Sequence, residues 1–185
     1  MRAYVIDMIL GSGISKEQRA KELEQKQYTD THISNVKKVW SIMSTKNSII
    51  EFICNEGQMM KSIVIPTIEA MVLSHDSSKY GIEEWEPYRK YYFPVDDMEK
   101  QSAQAEYEAA LQHHYMHNMH HPEFWVNNKN DMPMTSVVEM CCDWIAVSMI
   151  KGGTALEFYN KYFNKDKLGE AQKEWVEFIL KEYYK

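Results

Sequence analysis

Residues 31–45, THISNVKKVWSIMST, set the architecture: His32, Val36, Val39 and Met43 recur at intervals of four, three and four, so they lie along one face of a helix. His32 therefore points where the apolar residues point. The same spacing runs through most of the 185-residue chain, and only seven glycines and five prolines interrupt it. The expectation is an all-α protein forming a single domain over residues 1–185. Its core covers about 28–152, with an N-terminal extension over 1–27 and C-terminal helices over 153–185 packed on it.

Working outward, a second helix is expected over about 58–74, with Val64, Ile68, Met71, Val72 and His75 on one side and a kink at Pro66. It delivers His75 and Asp76 at its C-terminal end. After a break at 77–81 come an aromatic-rich segment, 82–93, and one long helix from Asp96 or Asp97 to about Asn118. Ala103, Tyr107, Ala110, His114 and His117 mark its inner face. Residues 127–133 read as a polar loop, after which Ser136 and Glu139 form a capping box opening a helix that ends at Gly152 and Gly153. Glu139, Asp143, Val147 and Ile150 share a face of that helix. Residues 154–185 give two further amphipathic helices, the last with Leu168, Ala171, Trp175 and Ile179 inward.

The net charge of -6, from 21 Lys and Arg against 27 Asp and Glu, argues against a broad electropositive surface for duplex nucleic acid and favours small substrates. No stretch approaches the roughly 20 apolar residues of a membrane span, and no basic region followed by an apolar run opens the chain. A cytoplasmic protein without a membrane partner is expected. Of the three cysteines, Cys141 and Cys142 are neighbours in an apolar stretch, which suits buried thiols in a reducing compartment. The thirteen methionines, Met140 and Met149 among them, are expected to fill the core, as is the cluster of Trp85, Tyr91, Tyr92 and Phe93.

Chemistry concentrates in the histidines: six of the seven lie at His75 and in two tight groups between His113 and His121. Imidazole nitrogen and carboxylate oxygen are ligands for Zn, Mn or Fe, and no paired CxxC motif offers thiolates instead. Inside a regular helix, adjacent residues diverge by about 100°. At a helix end the backbone can turn, so His75 and Asp76 can both reach one cation. Asp143 lies on an otherwise apolar face, where an unpaired carboxylate would be costly; a metal or a cationic partner would explain it. Taken singly, these residues have plainer readings: a core histidine, a solvated helix end, a polar turn at His120-His121-Pro122-Glu123, or a helix cap at Glu139.

Together they have a further meaning. A His, then a His-Asp pair, then a later Asp, each on a different helix, resembles the HD-domain metal-dependent phosphohydrolases, with His32, His75, Asp76 and Asp143 in the four places in order. HDSSK at 75–79 resembles the HDxxK form of several HD branches, in which the lysine, here Lys79, meets a phosphate. HDSSKY, NMHHPEFW and EMCCDW together resemble a small bacterial and phage family within that superfamily, over roughly residues 30–150.

The resemblance implies an HD-type helical bundle and a divalent metal (Mn, Zn, Fe, Co, Ni or Mg) held by those four residues. It also implies hydrolysis of a phosphate ester, with nucleotides among the candidate substrates. Asp76 would steer the attacking water, Lys79 would stabilise phosphoryl charge and Glu139 would assist. Some HD branches bind a second metal through added histidines, and His114, His120 and His121 occupy that interval, so one ion or two are open and so is the choice between His120 and His121. The GYP signature of cyclic-dinucleotide enzymes is absent. Two rival expectations are an HD-type di-iron oxygenase and a metal-stabilised binding or phage accessory module without turnover. Self-association into a homo-oligomer, for instance through the segment before Tyr28, is a further open expectation.

Overall fold

The computed structural model describes residues 13–185; the earlier part of the expected N-terminal extension lies outside the described residues. Within them the protein is all-α, with nine α-helices and no strand: α1 (Lys16–Met43), α2 (Asn47–Glu56), α3 (Lys61–Ser74), α4 (Ile82–Tyr92), α5 (Asp97–Ser102), α6 (Gln104–His117), α7 (Met134–Lys151), α8 (Ala155–Lys161) and α9 (Glu170–Tyr183). The described chain divides into two compact units, one formed by its residues up to Thr31 with Asp76–His117, the other by His32–His75 with Asn118–Lys185. None of the described helices is long and apolar enough to cross a membrane.

The second unit is built around α7. Twelve of its eighteen residues are buried, among them Val137, Val138, Met140, Cys141, Cys142, Ile145 and Ala146. A helix that is apolar nearly all round must be covered on several sides. Here α2, α3, α8 and α9 cover it. The expected inner faces of two neighbours hold: His32, Val36, Val39 and Met43 are buried on α1, and Val64, Ile68 and Val72 on α3. α3 starts at Lys61, later than expected, and runs unbroken through Pro66. α2, which the sequence reading left out, contributes Ile49, Ile50 and Ile53. Gly152 and Gly153, at φ 83° and 77°, end α7 in the left-handed region as their composition foretold.

Three expectations in this unit are corrected. Ser136 and Glu139 do not cap α7, which begins earlier, at Met134 behind Pro133; both lie buried inside the helix. On α9 the inward residues are Gln172, Val176, Ile179 and Leu180, while Ala171 is exposed. Gln172 took no part in the apolar pattern because it is polar, yet its amide donates to the carbonyls of Asn130 and Met132 at 2.9 Å and pins the loop before α7. Met149 is exposed, unlike Met140, because it lies on the uncovered side of the last turn of α7.

In the first unit α4 packs on α6, with α5 and the short turn Ser77–Tyr80 against them. The single long helix expected from residue 96 is two helices, broken at Ala103, and His117 at its end is exposed. Ala103, Ala110 and His114 are buried as expected. α1 starts far upstream of residue 31. Its earlier buried positions, Glu22, Gln25 and Thr29, keep the spacing of three and four but are polar, so hydropathy does not reveal them. Gln25 donates to the Trp85 carbonyl at 2.9 Å, which compensates its burial. Arg89 is fully buried, and its guanidinium donates to Glu86 at 3.0 Å and to Glu99 at 3.0 Å. Tyr91 stacks on Tyr107 with ring centroids 3.9 Å apart.

Candidate metal centre

Within the second unit, three helices deliver the donors. His32 projects from α1; His75 caps the C-terminus of α3, where the backbone has left helical geometry (φ -46°, ψ 133°); Glu139 and Asp143 sit one turn apart on α7. All four are buried. His120 arrives on the loop before the turn Pro122–Trp125, a loop fastened by the Trp125 indole donating to the Met119 carbonyl at 2.8 Å.

Glu139 Oε1 accepts from His75 Nδ1 at 3.0 Å and lies 3.5 Å from His120 Nδ1. Burial opposes ionisation of Glu139, but hydrogen bonds from His120 and His75 and their charges outweigh it, and its pKa is pushed down to about 2. An ionised carboxylate only accepts, so His75 Nδ1 is the donor of this pair, and in a neutral ring the lone pair would then sit on Nε2.

That Nε2 lies 3.3 Å from His32 Nε2 and 3.8 Å from Asp143 Oδ1, and His32 Nε2 lies 3.1 Å from the same oxygen. Asp143 is also held well below the ordinary carboxylate range: burial works against its charge, and the His32 hydrogen bond with the charges of His32, His75 and His120 overcomes it. Donor bonds of about 2.1 Å to a first-row cation put ligand atoms about 3.0 Å apart at right angles and about 3.4 Å apart at tetrahedral angles. Two edges of the observed triangle, 3.1 and 3.3 Å, fall in that range, and the third, 3.8 Å, would need a wider ligand angle of about 130°. His32, His75 and Asp143 thus form a buried group able to hold a metal ion, and His75, His120 and Glu139 form an adjoining one. The ring of His121 lies against that of His120, with centroids 4.2 Å apart.

The first unit holds the other expected residues. Asp76 takes the left-handed conformation (φ 53°, ψ 22°) and opens the turn Ser77–Tyr80, which brings Lys79 Nζ to 2.6 Å from Asp76 Oδ2. His114 of α6 places Nε2 3.3 Å from Asp76 Oδ1. Its Nδ1 faces Glu84 Oε2 at 2.8 Å, and the other oxygen of Glu84 faces His113 Nδ1 at 2.8 Å. His114 lies between two carboxylates, whose hydrogen bonds and charge raise its pKa against the effect of burial. Burial likewise opposes the charge of Glu84, and the bonds from His114 and His113 bring its pKa below the ordinary value.

Sequence reasoning missed Glu84: it stands in an aromatic segment with no motif, and only the packing of α4 on α6 sets it beside the two histidines. His113, about 100° from His114 around the helix, is turned to the other oxygen of Glu84.

No curated protein and no solved structure matches the chain. A family model described as a family of unknown function, DUF5662, matches residues 21–182. That span takes in every histidine and carboxylate of both clusters, and the chain belongs to the DUF5662 family.

Proposed function

We propose that the chain is a metal-dependent phosphohydrolase acting on a small phosphate ester, with nucleotides among the candidates. One observation carries the proposal: two imidazole nitrogens and a carboxylate oxygen, delivered by three different helices, converge in a buried triangle 3.1–3.8 Å on a side, a group able to hold a divalent cation. The HD resemblance adds Asp76, which the peptide bond joins to His75. When bound, the ion would supply a water nucleophile of lowered pKa and neutralise charge on the phosphoryl oxygens.

The chain's own residues then have distinct tasks. Glu139 holds His75 Nδ1, so that Nε2 would be the atom left to ligate the ion. Asp76 holds the Lys79 ammonium at 2.6 Å, and that side chain keeps contact with solvent, where a substrate phosphate would arrive. Asp76 is also the carboxylate proposed to take the proton of the attacking water.

The test is elemental analysis of untagged protein beside Asp143→Asn and Asp76→Asn, followed by a phosphate-ester panel with the metal found. Bound Mn, Zn or Co that is lost in Asp143→Asn, with turnover abolished in Asp76→Asn, is the expected result. Bound iron with oxygen consumption and no hydrolysis would replace this reading with an oxygenase. No metal after reconstitution would leave a helical binding module.

A further inference from the structure

α4 offers Glu84, a carboxylate with no exposed surface, to two consecutive imidazoles of α6. Consecutive residues on a helix diverge by about 100°, so one group serves both only when its two oxygens are divided between them. That is the arrangement here: Oε1 is 2.8 Å from His113 Nδ1, and Oε2 is 2.8 Å from His114 Nδ1. The Tyr88 ring meets the His114 ring edge-on at 6.2 Å, and Ser78 Oγ lies 3.3 Å from the same Nδ1.

A carboxylate cannot donate, so the nitrogen facing Glu84 is the one that bears hydrogen. A neutral imidazole has only one such nitrogen. Nε2 of His114 is then an acceptor, and it faces a second acceptor, Asp76 Oδ1, at 3.3 Å. Two acceptors at that separation are reconciled by a proton or by a cation between them.

We propose that Glu84 is a positioning residue: it fixes the His114 ring so that Nε2 is turned to Asp76 Oδ1, and this nitrogen and oxygen form a ready edge for a cation. The cation part rests on the function proposed above, whereas the ring orientation does not. Glu84 itself touches neither metal nor substrate; it acts through His114, as a carboxylate behind a ligating histidine does in general.

The experiment compares full-length wild type with Glu84→Gln and His113→Ala. Glutamine at 84 has one acceptor oxygen and one donor nitrogen, so it cannot accept from both rings. His113→Ala removes the other bond to Glu84 and leaves the one to His114. Long-range nitrogen–proton spectra of metal-free protein, taken at alkaline pH where the ring is neutral, read which nitrogen of His114 bears hydrogen. Calorimetric titration with Mn²⁺ reads cation affinity, and thermal melting reads stability.

We expect hydrogen on Nδ1 in wild type and in His113→Ala, and a shift toward Nε2 in Glu84→Gln. Mn²⁺ affinity at the His114–Asp76 edge should fall about 10- to 100-fold in Glu84→Gln and stay near wild type in His113→Ala. If Glu84→Gln keeps both the wild-type tautomer and its Mn²⁺ affinity, the proposal is overturned. Equal losses of melting temperature in both variants with no change at His114 would also overturn it, leaving Glu84 as a tie between α4 and α6. If wild type binds no Mn²⁺, the cation part of the proposal falls, and the tautomer alone decides whether Glu84 positions the ring.

Discussion

Asp76 combines a chemical and a conformational demand. At φ 53° it occupies the left-handed region, which costs most L-residues about 1–2 kcal/mol and which aspartate and asparagine tolerate better than others. Asp76→Ala therefore confuses loss of the carboxylate with backbone strain, and Asp76→Asn separates them. Both variants should lose turnover, but Asp76→Ala should be less stable than Asp76→Asn by about 1 kcal/mol, a difference of roughly 2–4 °C in melting temperature for a chain of this size. Identical melting curves would show that the side chain contributes nothing to holding that turn. The candidate ligands on α1, α3 and α7 were legible because His32 and Asp143 stand out as polar residues on apolar faces and His75 ends one. Glu84 was not legible, since it takes its meaning from His113 and His114, which stand 29 and 30 positions later in the chain.

At the scale of the helix, polarity decided what could be read. α7 and the second half of α1 bury apolar residues at helical spacing, and the sequence announced them. The first half of α1 buries Glu22, Gln25 and Thr29 instead, so a helix of 28 residues looked like one that began at Thr31. Nothing in the local sequence marks the break between α5 and α6 at Ala103. Around α4 the unread partner is ionic: Arg89 is fully buried and depends on Glu86 and Glu99. Removing a partner from a buried charge costs roughly 3–5 kcal/mol, but Glu86 would remain, so Glu99→Ala should destabilise by about 2 kcal/mol in urea unfolding. The hydrogen bond from Arg89 holds the Glu99 pKa below its ordinary value against a smaller effect of burial. A carboxylate depressed in the folded state stabilises above its unfolded pKa of about 4.3 and loses that contribution as pH falls through the folded value. The gap between wild type and Glu99→Ala should thus be full at pH 7 and narrow below about pH 4. A gap that stayed constant to pH 3 would assign the loss to packing.

Over the whole molecule the chain leaves one unit and returns to it, so neither unit is a continuous stretch of sequence. The second unit needs His32–His75 as well as Asn118–Lys185, because α2 and α3 cover α7. A fragment of residues 118–185 would expose the face of α7 that those helices bury, and it should show no cooperative thermal transition; a sharp one would mean that α8 and α9 suffice.

The same interleaving ties metal to stability. His32, His75 and Asp143 meet only when α1, α3 and α7 are in place, and unfolding scatters them over more than a hundred positions. A cation bound there stabilises by mass action, about 2.7 kcal/mol at a hundred times its dissociation constant, equivalent to a rise of roughly 5–10 °C in melting temperature. Scanning calorimetry with and without Mn²⁺ should show that rise in wild type, its reversal by chelator, and its absence in Asp143→Asn. Because the variant keeps side-chain volume but removes a ligand charge, a rise of equal size in Asp143→Asn would place the stabilising ion elsewhere and remove the thermodynamic support for a centre on these three helices.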